Sequence, residues 1–205
     1  MSFKKNKFII IKNVISKELA NFIYNYFLLK RNVAKKLFEN RIIPPNETMW
    51  GTWEDTQVIN TYSHYADIAM ETLLSLIKPV MEKHTKLKLN ENYSYARVYK
   101  KGDILRRHKD RFSCEISTTL NLGGDPWPIF LEPSGESNKK GIKVDLGSGD
   151  MLVYKGNELE HWREEFKGET CAQVFLHYNN IATKGAKENI YDCRPSLGLP
   201  NYFKK

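Results

Sequence analysis

A chain of 205 residues, 41% hydrophobic and 27% charged, has the length and apolar content for one domain with a sizeable core and requires no second. Its formal charge of +8 permits an acidic partner, but 24 lysines stand against 8 arginines with no basic–aromatic repeat, so nucleic-acid binding is not indicated. No apolar run reaches membrane-spanning length, and Phe8-Ile9-Ile10-Ile11 after the basic start is too short for a secretory signal; a cytoplasmic protein without membrane contact is expected.

Residues 8–12 read as a strand. Ser16 suits a helix N-cap, although Leu19 stands where a capping box needs Glu or Gln. The helix that follows carries Leu19, Phe22, Ile23, Tyr26 and Phe27 on one face. Pro44 and Pro45 mark a loop over 41–47. Beyond it, Trp50 and Trp53 either line a substrate groove or pack in the core. A second helix is expected from about Tyr65 to Lys78, with Pro79 ending or kinking it. From Tyr93 the pattern changes to short alternating runs separated by Gly and Pro turns: 93–103, 114–122, 129–131, 141–144, 151–154 and 171–178. These predict a mainly β fold with flanking helices, of sandwich or jelly-roll type. Helical residues are expected over about 13–90, the β core over about 91–180, and a tail with two prolines over 181–205. Cys114, Cys171 and Cys193 form neither a disulfide framework nor a zinc pattern and read as free thiols.

The chemistry lies in His108-Lys109-Asp110 and His161. Two neutral imidazoles and one carboxylate suit non-haem Fe(II), gripping one face of the ion and leaving the opposite face open. In a strand, His108 and Asp110 project to the same side while Lys109 points away. Glu164 and Glu165 sit in a charged loop and read as solvated. His64 and His84 carry no ligand pattern. His177 is either an ordinary sheet histidine or a donor behind the metal ligands. Trp162, next to a ligand, is expected over the barrel mouth.

The order Tyr-Lys-Lys-Gly (99–102), His-Lys-Asp (108–110), Thr-Leu-Asn-Leu (119–122), Gly-Ser-Gly-Asp-Met-Leu-Val-Tyr (147–154), His161 and Phe-Leu-His-Tyr (175–178) resembles the Fe(II)/2-oxoglutarate-dependent oxygenases, above all their prolyl 4-hydroxylase-like branch. The resemblance covers residues 93–179. It implies a double-stranded β-helix with N-terminal helices packed on it. It also implies iron at His108, Asp110 and His161, with 2-oxoglutarate and dioxygen as cosubstrates. The implied reaction hydroxylates a C–H bond of a peptidyl prolyl or similar residue and needs no catalytic side chain beyond the metal ligands. A free amino acid, another small molecule or a nucleobase is an alternative substrate, and a non-catalytic metal-binding jelly roll an alternative to catalysis. Tyr99 resembles the family's cosubstrate-contacting tyrosine. The chain departs from the family nine and ten residues after the distal histidine, where Thr170 and Cys171 replace the usual Arg or Lys that pairs with the far carboxylate of 2-oxoglutarate. A buried carboxylate needs a charge-assisted partner. Arg97, on the Tyr99 face of its strand, is the first candidate, with Arg111 and Arg163 behind it. Ser117, Thr119 and Thr170 are candidate hydroxyl donors.

Overall fold

Strand runs from Leu89 onward pair into two antiparallel sheets, and the earlier part of the chain adds the two edge strands of one of them and covers it with helices. The computed structural model describes residues 2–205. In chain order the elements are α1 (Phe3–Asn6), β1 (Phe8–Ile11), α2 (Lys17–Glu39), β2 (Tyr62–Tyr65), α3 (Ile68–Thr85), β3 (Leu89–Lys100) and β4 (Leu105–His108). There follow β5 (Ile116–Gly124), β6 (Ile129–Leu131), β7 (Ile142–Val144), β8 (Met151–Lys155), β9 (His161–Arg163) and β10 (Thr170–Asn180). The larger sheet has the order β1-β8-β5-β10-β3-β2, the smaller β4-β9-β6-β7. From β3 to β10 the chain passes back and forth between the sheets. Among the described residues no ladder joins one sheet to the other, so the sheets form an open sandwich rather than a closed barrel.

Helices α2 and α3 bury Ile23, Phe27, Leu73, Leu74 and Ile77 with Val98, Leu120, Val153 and Val174 of the larger sheet. The opposite face of that sheet meets the smaller one through two apolar groups. Leu152 and Tyr154 pack with Ile129, Leu131 and Val144, and Tyr99 and Phe175 pack with Leu105 and Trp127. Hydrophobic residues from both sheets thus flank the space in which the polar site sits.

Three expectations are corrected. The buried stripe of α2 runs through Ala20, Ile23, Phe27 and Ala34. Leu19 and Phe22 lie off it, Phe22 being 69% exposed, because the helix is rotated so that the Ala20, Phe27 and Ala34 side of its apolar face meets the sheet and the Phe22 side meets solvent. Helix α3 starts at Ile68, capped by Asp67 accepting from the Met70 N–H, and passes through Pro79 to Thr85. Pro79 and Ser75, whose carbonyl loses its partner, are both exposed, so the proline sits on the solvent side of the helix. Trp162 points away from the mouth: strand alternation turns it opposite to His161, stacked on Phe130 with centroids 5.5 Å apart.

The C-terminal residues fold back onto the larger sheet. Buried Arg194 donates to Glu71 at 2.8 Å and to the Asn92 carbonyl at 2.9 Å. Trp53 is partly buried and packs against the core through Phe38 and Tyr62. No helix is long and apolar enough to cross a membrane among the described residues. All three cysteines are free.

Candidate metal centre

Strands β4 and β9 pair so that His108 stands opposite His161, with ring centroids 4.2 Å apart. Each imidazole is oriented by its own strand end. His108 Nδ1 lies 2.7 Å from the Arg106 carbonyl and His161 Nδ1 3.1 Å from the Leu159 carbonyl. A carbonyl only accepts, so Nδ1 carries the proton in both rings and Nε2 presents a lone pair. Burial, then the neighbouring His161, lowers the His108 pKa and favours its neutral, metal-binding form.

Asp110 reaches the same point by a different route from the one expected. It lies beyond the end of β4, not on it, and its backbone N–H donates to the Gly156 carbonyl at 2.8 Å. Its Oδ1 then sits 3.6 Å from His108 Nε2 and 3.5 Å from His161 Nε2. One ligand atom from each of the three lies within 4.8 Å of the others. Lys109 turns away to the Gly135 carbonyl.

The other carboxylate oxygen is fixed as well. Asp110 Oδ2 accepts from Ser117 Oγ at 2.7 Å, and His177 Nδ1 stands 3.0 Å from the same hydroxyl. His177 therefore lies behind the ligands. Burial pushes its pKa down to about 4, so it is neutral at ordinary pH. Burial alone raises the Asp110 pKa, but His161 beside it and the Ser117 hydroxyl hold it well below the usual carboxylate range. Gly156 makes the close approach possible: a Cβ there overlaps Asp110 Oδ2 and meets the Cys114 carbonyl at 2.5 Å and Ser117 Oγ at 2.6 Å. Two prepared imidazole nitrogens and a fixed carboxylate form a donor set that fits a divalent first-row ion such as Fe(II).

The three ligands open onto a cavity of about 220 Å³. Its wall includes Leu105, Ile129, Tyr154 and Phe175 from the two apolar groups, and Asp55, Gln57, Tyr93 and Tyr95, which sequence reasoning missed. Asp55 and Gln57 lie in a loop with no strand pattern and meet Arg97 from 42 and 40 residues away. Arg97 donates to Asp55 through Nε at 2.9 Å and through a terminal nitrogen at 2.5 Å. The same guanidinium reaches Gln57 Oε1 at 2.5 Å, and Gln57 Nε2 is 2.8 Å from His108 Nε2. No local signal reveals such a bridge. A second hollow, lined by Tyr65, Arg111, Asn201 and Lys204, shares Asp55, Tyr93 and Tyr95 with the first and carries the cleft outward.

The three candidate arginines have different partners. Arg97 lines the cavity but is paired with Asp55, and Tyr99 OH accepts from it at 3.3 Å. Arg111 is half exposed and paired with Asp192 at 2.7 Å, on the outer hollow. Arg163 is 1% exposed. It donates only to neutral oxygens, the Trp127 carbonyl and Thr119 Oγ1 at 3.2 Å, with its guanidinium over the Trp127 ring. Its buried Nε has no partner among the described residues. It stands two residues after His161 on the same face of β9, across the ladder from the cavity residue Leu105. Of the sequence candidates for the cosubstrate only Arg97 lines the cavity; Tyr99, Arg111, Ser117, Thr119, Arg163 and Thr170 lie outside its wall, Thr170 at the start of β10 beside Lys100.

No family model matches the sequence, and none of the curated proteins does. Solved structures do. A prolyl-4-hydroxylase from Pseudomonas putida superimposes with a TM-score of 0.61 at 14% identity, over 87% of this chain and 95% of that one. A prolyl hydroxylase from Trichoplax adhaerens, in complex with a hypoxia inducible factor peptide fragment, gives 0.58 at 14% identity, over 86% and 85%. EctD from S. alaskensis, with 2-oxoglutarate and 5-hydroxyectoine, gives 0.59 at 14% identity, over 88% and 74%. At these identities the likeness is one of fold: the chain has the fold of these three structures.

Proposed function

We propose that the protein is a non-haem Fe(II)- and 2-oxoglutarate-dependent dioxygenase with a double-stranded β-helix core, hydroxylating a C–H bond of a prolyl or similar residue in a peptide. The observation that carries this reading is the convergence of His108 Nε2, His161 Nε2 and Asp110 Oδ1 in the wall of one cavity. Iron held there supplies dioxygen activation coupled to oxidation of 2-oxoglutarate to succinate. The side chains supply the rest. The Arg106 and Leu159 carbonyls fix the imidazoles, Ser117 fixes Asp110, and Tyr154, Leu105 and Phe175 keep the inner wall apolar. No side-chain general base is required.

Arg163 is the cation we assign to the far carboxylate of 2-oxoglutarate. A fully buried guanidinium without an anion is costly, and a carboxylate ligand offsets that cost. Arg97 and Arg111 already hold aspartates. Thr119, hydrogen-bonded to Arg163, and Tyr99 are the accompanying hydroxyls. The peptide reading draws on the cleft continuing past Tyr93 and Tyr95 to Tyr65, and on the Trichoplax structure, whose partner is a peptide. The EctD structure, which holds a small molecule, keeps that substrate class as the second reading.

Anaerobic titration of the Fe(II) protein with 2-oxoglutarate tests the cosubstrate through the metal-to-ligand charge-transfer band. Absence of the band leaves a non-catalytic metal-binding sandwich. Succinate formation stimulated by prolyl peptides supports the favoured substrate class, and stimulation by free amino acids alone supports the second.

A further inference from the structure

The two oxygens of Asp110 face two different donor sets. Oδ1 is turned to His108 and His161. Oδ2 is turned to the other side, where Ser117 holds it. On that side lie Cys114, at the end of the 3-10 turn Phe112–Cys114, and His177, paired across the β5–β10 ladder with Ser117. One ligand atom each from Asp110, Cys114 and His177 lies within 4.8 Å of the others. All three residues line the same cavity, so an ion can reach them.

We infer that Cys114, His177 and Asp110 form a second cation site, specific for a thiophilic divalent ion such as Zn(II), adjoining the iron site and sharing its carboxylate. Sulfur, imidazole and carboxylate are the ligand types zinc takes, at roughly 2.0–2.3 Å, and three protein donors with a water in the fourth position make a tetrahedral zinc site. The His-Asp-His set has only nitrogen and oxygen donors, whereas a thiolate selects a softer ion. On binding, the Cys114 thiol gives its proton to solvent and sulfur forms the bond to the metal. The Tyr93 hydroxyl, 2.9 Å from Sγ, then donates to the thiolate. Asp110 Oδ2 exchanges the Ser117 hydroxyl for the metal. Because Asp110 belongs to both sets, an ion in the second draws charge and geometry from the first and weakens iron loading. Zinc is thereby an inhibitor whose site is built into the centre.

Cobalt(II) titration of the reduced, metal-free, full-length protein tests this without any turnover. Wild-type protein and His161→Ala should both develop the near-ultraviolet thiolate-to-cobalt charge-transfer band, and zinc should abolish it. Cys114→Ser should lose the band. His177→Gln, which keeps the thiol, should form it with at least ~tenfold weaker affinity. Saturated wild-type protein without the band overturns the proposal. So does a band that survives Cys114→Ser, since it then arises from Cys171 or Cys193. A band that requires His161 overturns it too, by making the thiolate a ligand of the first centre. If Cys114→Ser does not fold, His177→Gln decides: cobalt affinity equal to wild type overturns the proposal there as well.

Discussion

The two sheets do different work. In the larger sheet β5 and β10 are buried almost end to end, because helices cover one face and the smaller sheet the other. In the smaller sheet the strands are three or four residues long and burial alternates, as in β6 and β9, because its outer face meets solvent. Yet the smaller sheet carries both histidine ligands, at the end of β4 and the start of β9. The larger sheet, through Ser117 and His177, holds Asp110 in place. Ligands thus sit where short strands end and the chain can turn toward an ion, while the long ladders behind them limit how far the ligands can drift.

The harshest break of this arrangement is His161→Ala. Iron occupancy, read by metal analysis after gel filtration, should fall to near zero while the larger sheet stays folded. Retained stoichiometric iron contradicts the triad.

Arg163→Leu sharpens the contrast between a paired and an unpaired buried cation. Affinity for 2-oxoglutarate should drop by about 2–5 kcal/mol, more than tenfold, with iron affinity unchanged. Without cosubstrate the variant should be as stable as wild type or more so, since an uncompensated charge has been replaced by an apolar group. Thermal shift with and without 2-oxoglutarate reads both effects. An equal cosubstrate shift in both proteins excludes Arg163, and Arg97→Ala then becomes the variant to measure.

Gly156→Ala probes the contact between the sheets at Asp110. The added Cβ overlaps the carboxylate, the Cys114 carbonyl and Ser117 Oγ, so about 1–3 kcal/mol of stability should be lost together with metal affinity. Gly102→Ala is the comparison. Gly102 has a positive φ of +86 and nothing within 4 Å of the new atom, so stability alone should change. Undiminished metal binding in Gly156→Ala shows that Asp110 can move without loss.

What is legible in the sequence and what is hidden divide along the same line. The short strands 129–131 and 142–144, and the histidines at their neighbours' ends, are visible because residue type and period are local properties. Asp110 lies beyond its strand, its N–H bonded to the distant Gly156 carbonyl, which no period reports. The partners of Arg97 and Arg111 stand 42 and 81 residues away. Strand face alone therefore puts Arg97 first, whereas the distant Asp55 already neutralises its charge. Pro79 misleads because its penalty depends on whether the freed carbonyl is hydrated.

The smallest effect expected comes from His177, the residue by which the larger sheet supports the metal centre. Its pKa is pushed from 6.5 down to about 4 by burial. The unfolded chain therefore binds a proton at higher pH than the folded one, and stability falls as pH drops below the unfolded value. The loss continues until the folded value is passed. Between about pH 6.5 and 5.5 the contribution is about 1 kcal/mol. His64 and His108 are lowered in the same direction, both by burial first, so the wild-type slope includes them and only a difference isolates His177. His177→Gln keeps a polar side chain near Ser117 but cannot titrate. Urea unfolding of the metal-free proteins across this range should show a shallower loss in the variant, by about one proton's linkage. Parallel slopes show that His177 takes up its proton without leaving the fold, and that the support behind Asp110 is looser than the ladder suggests.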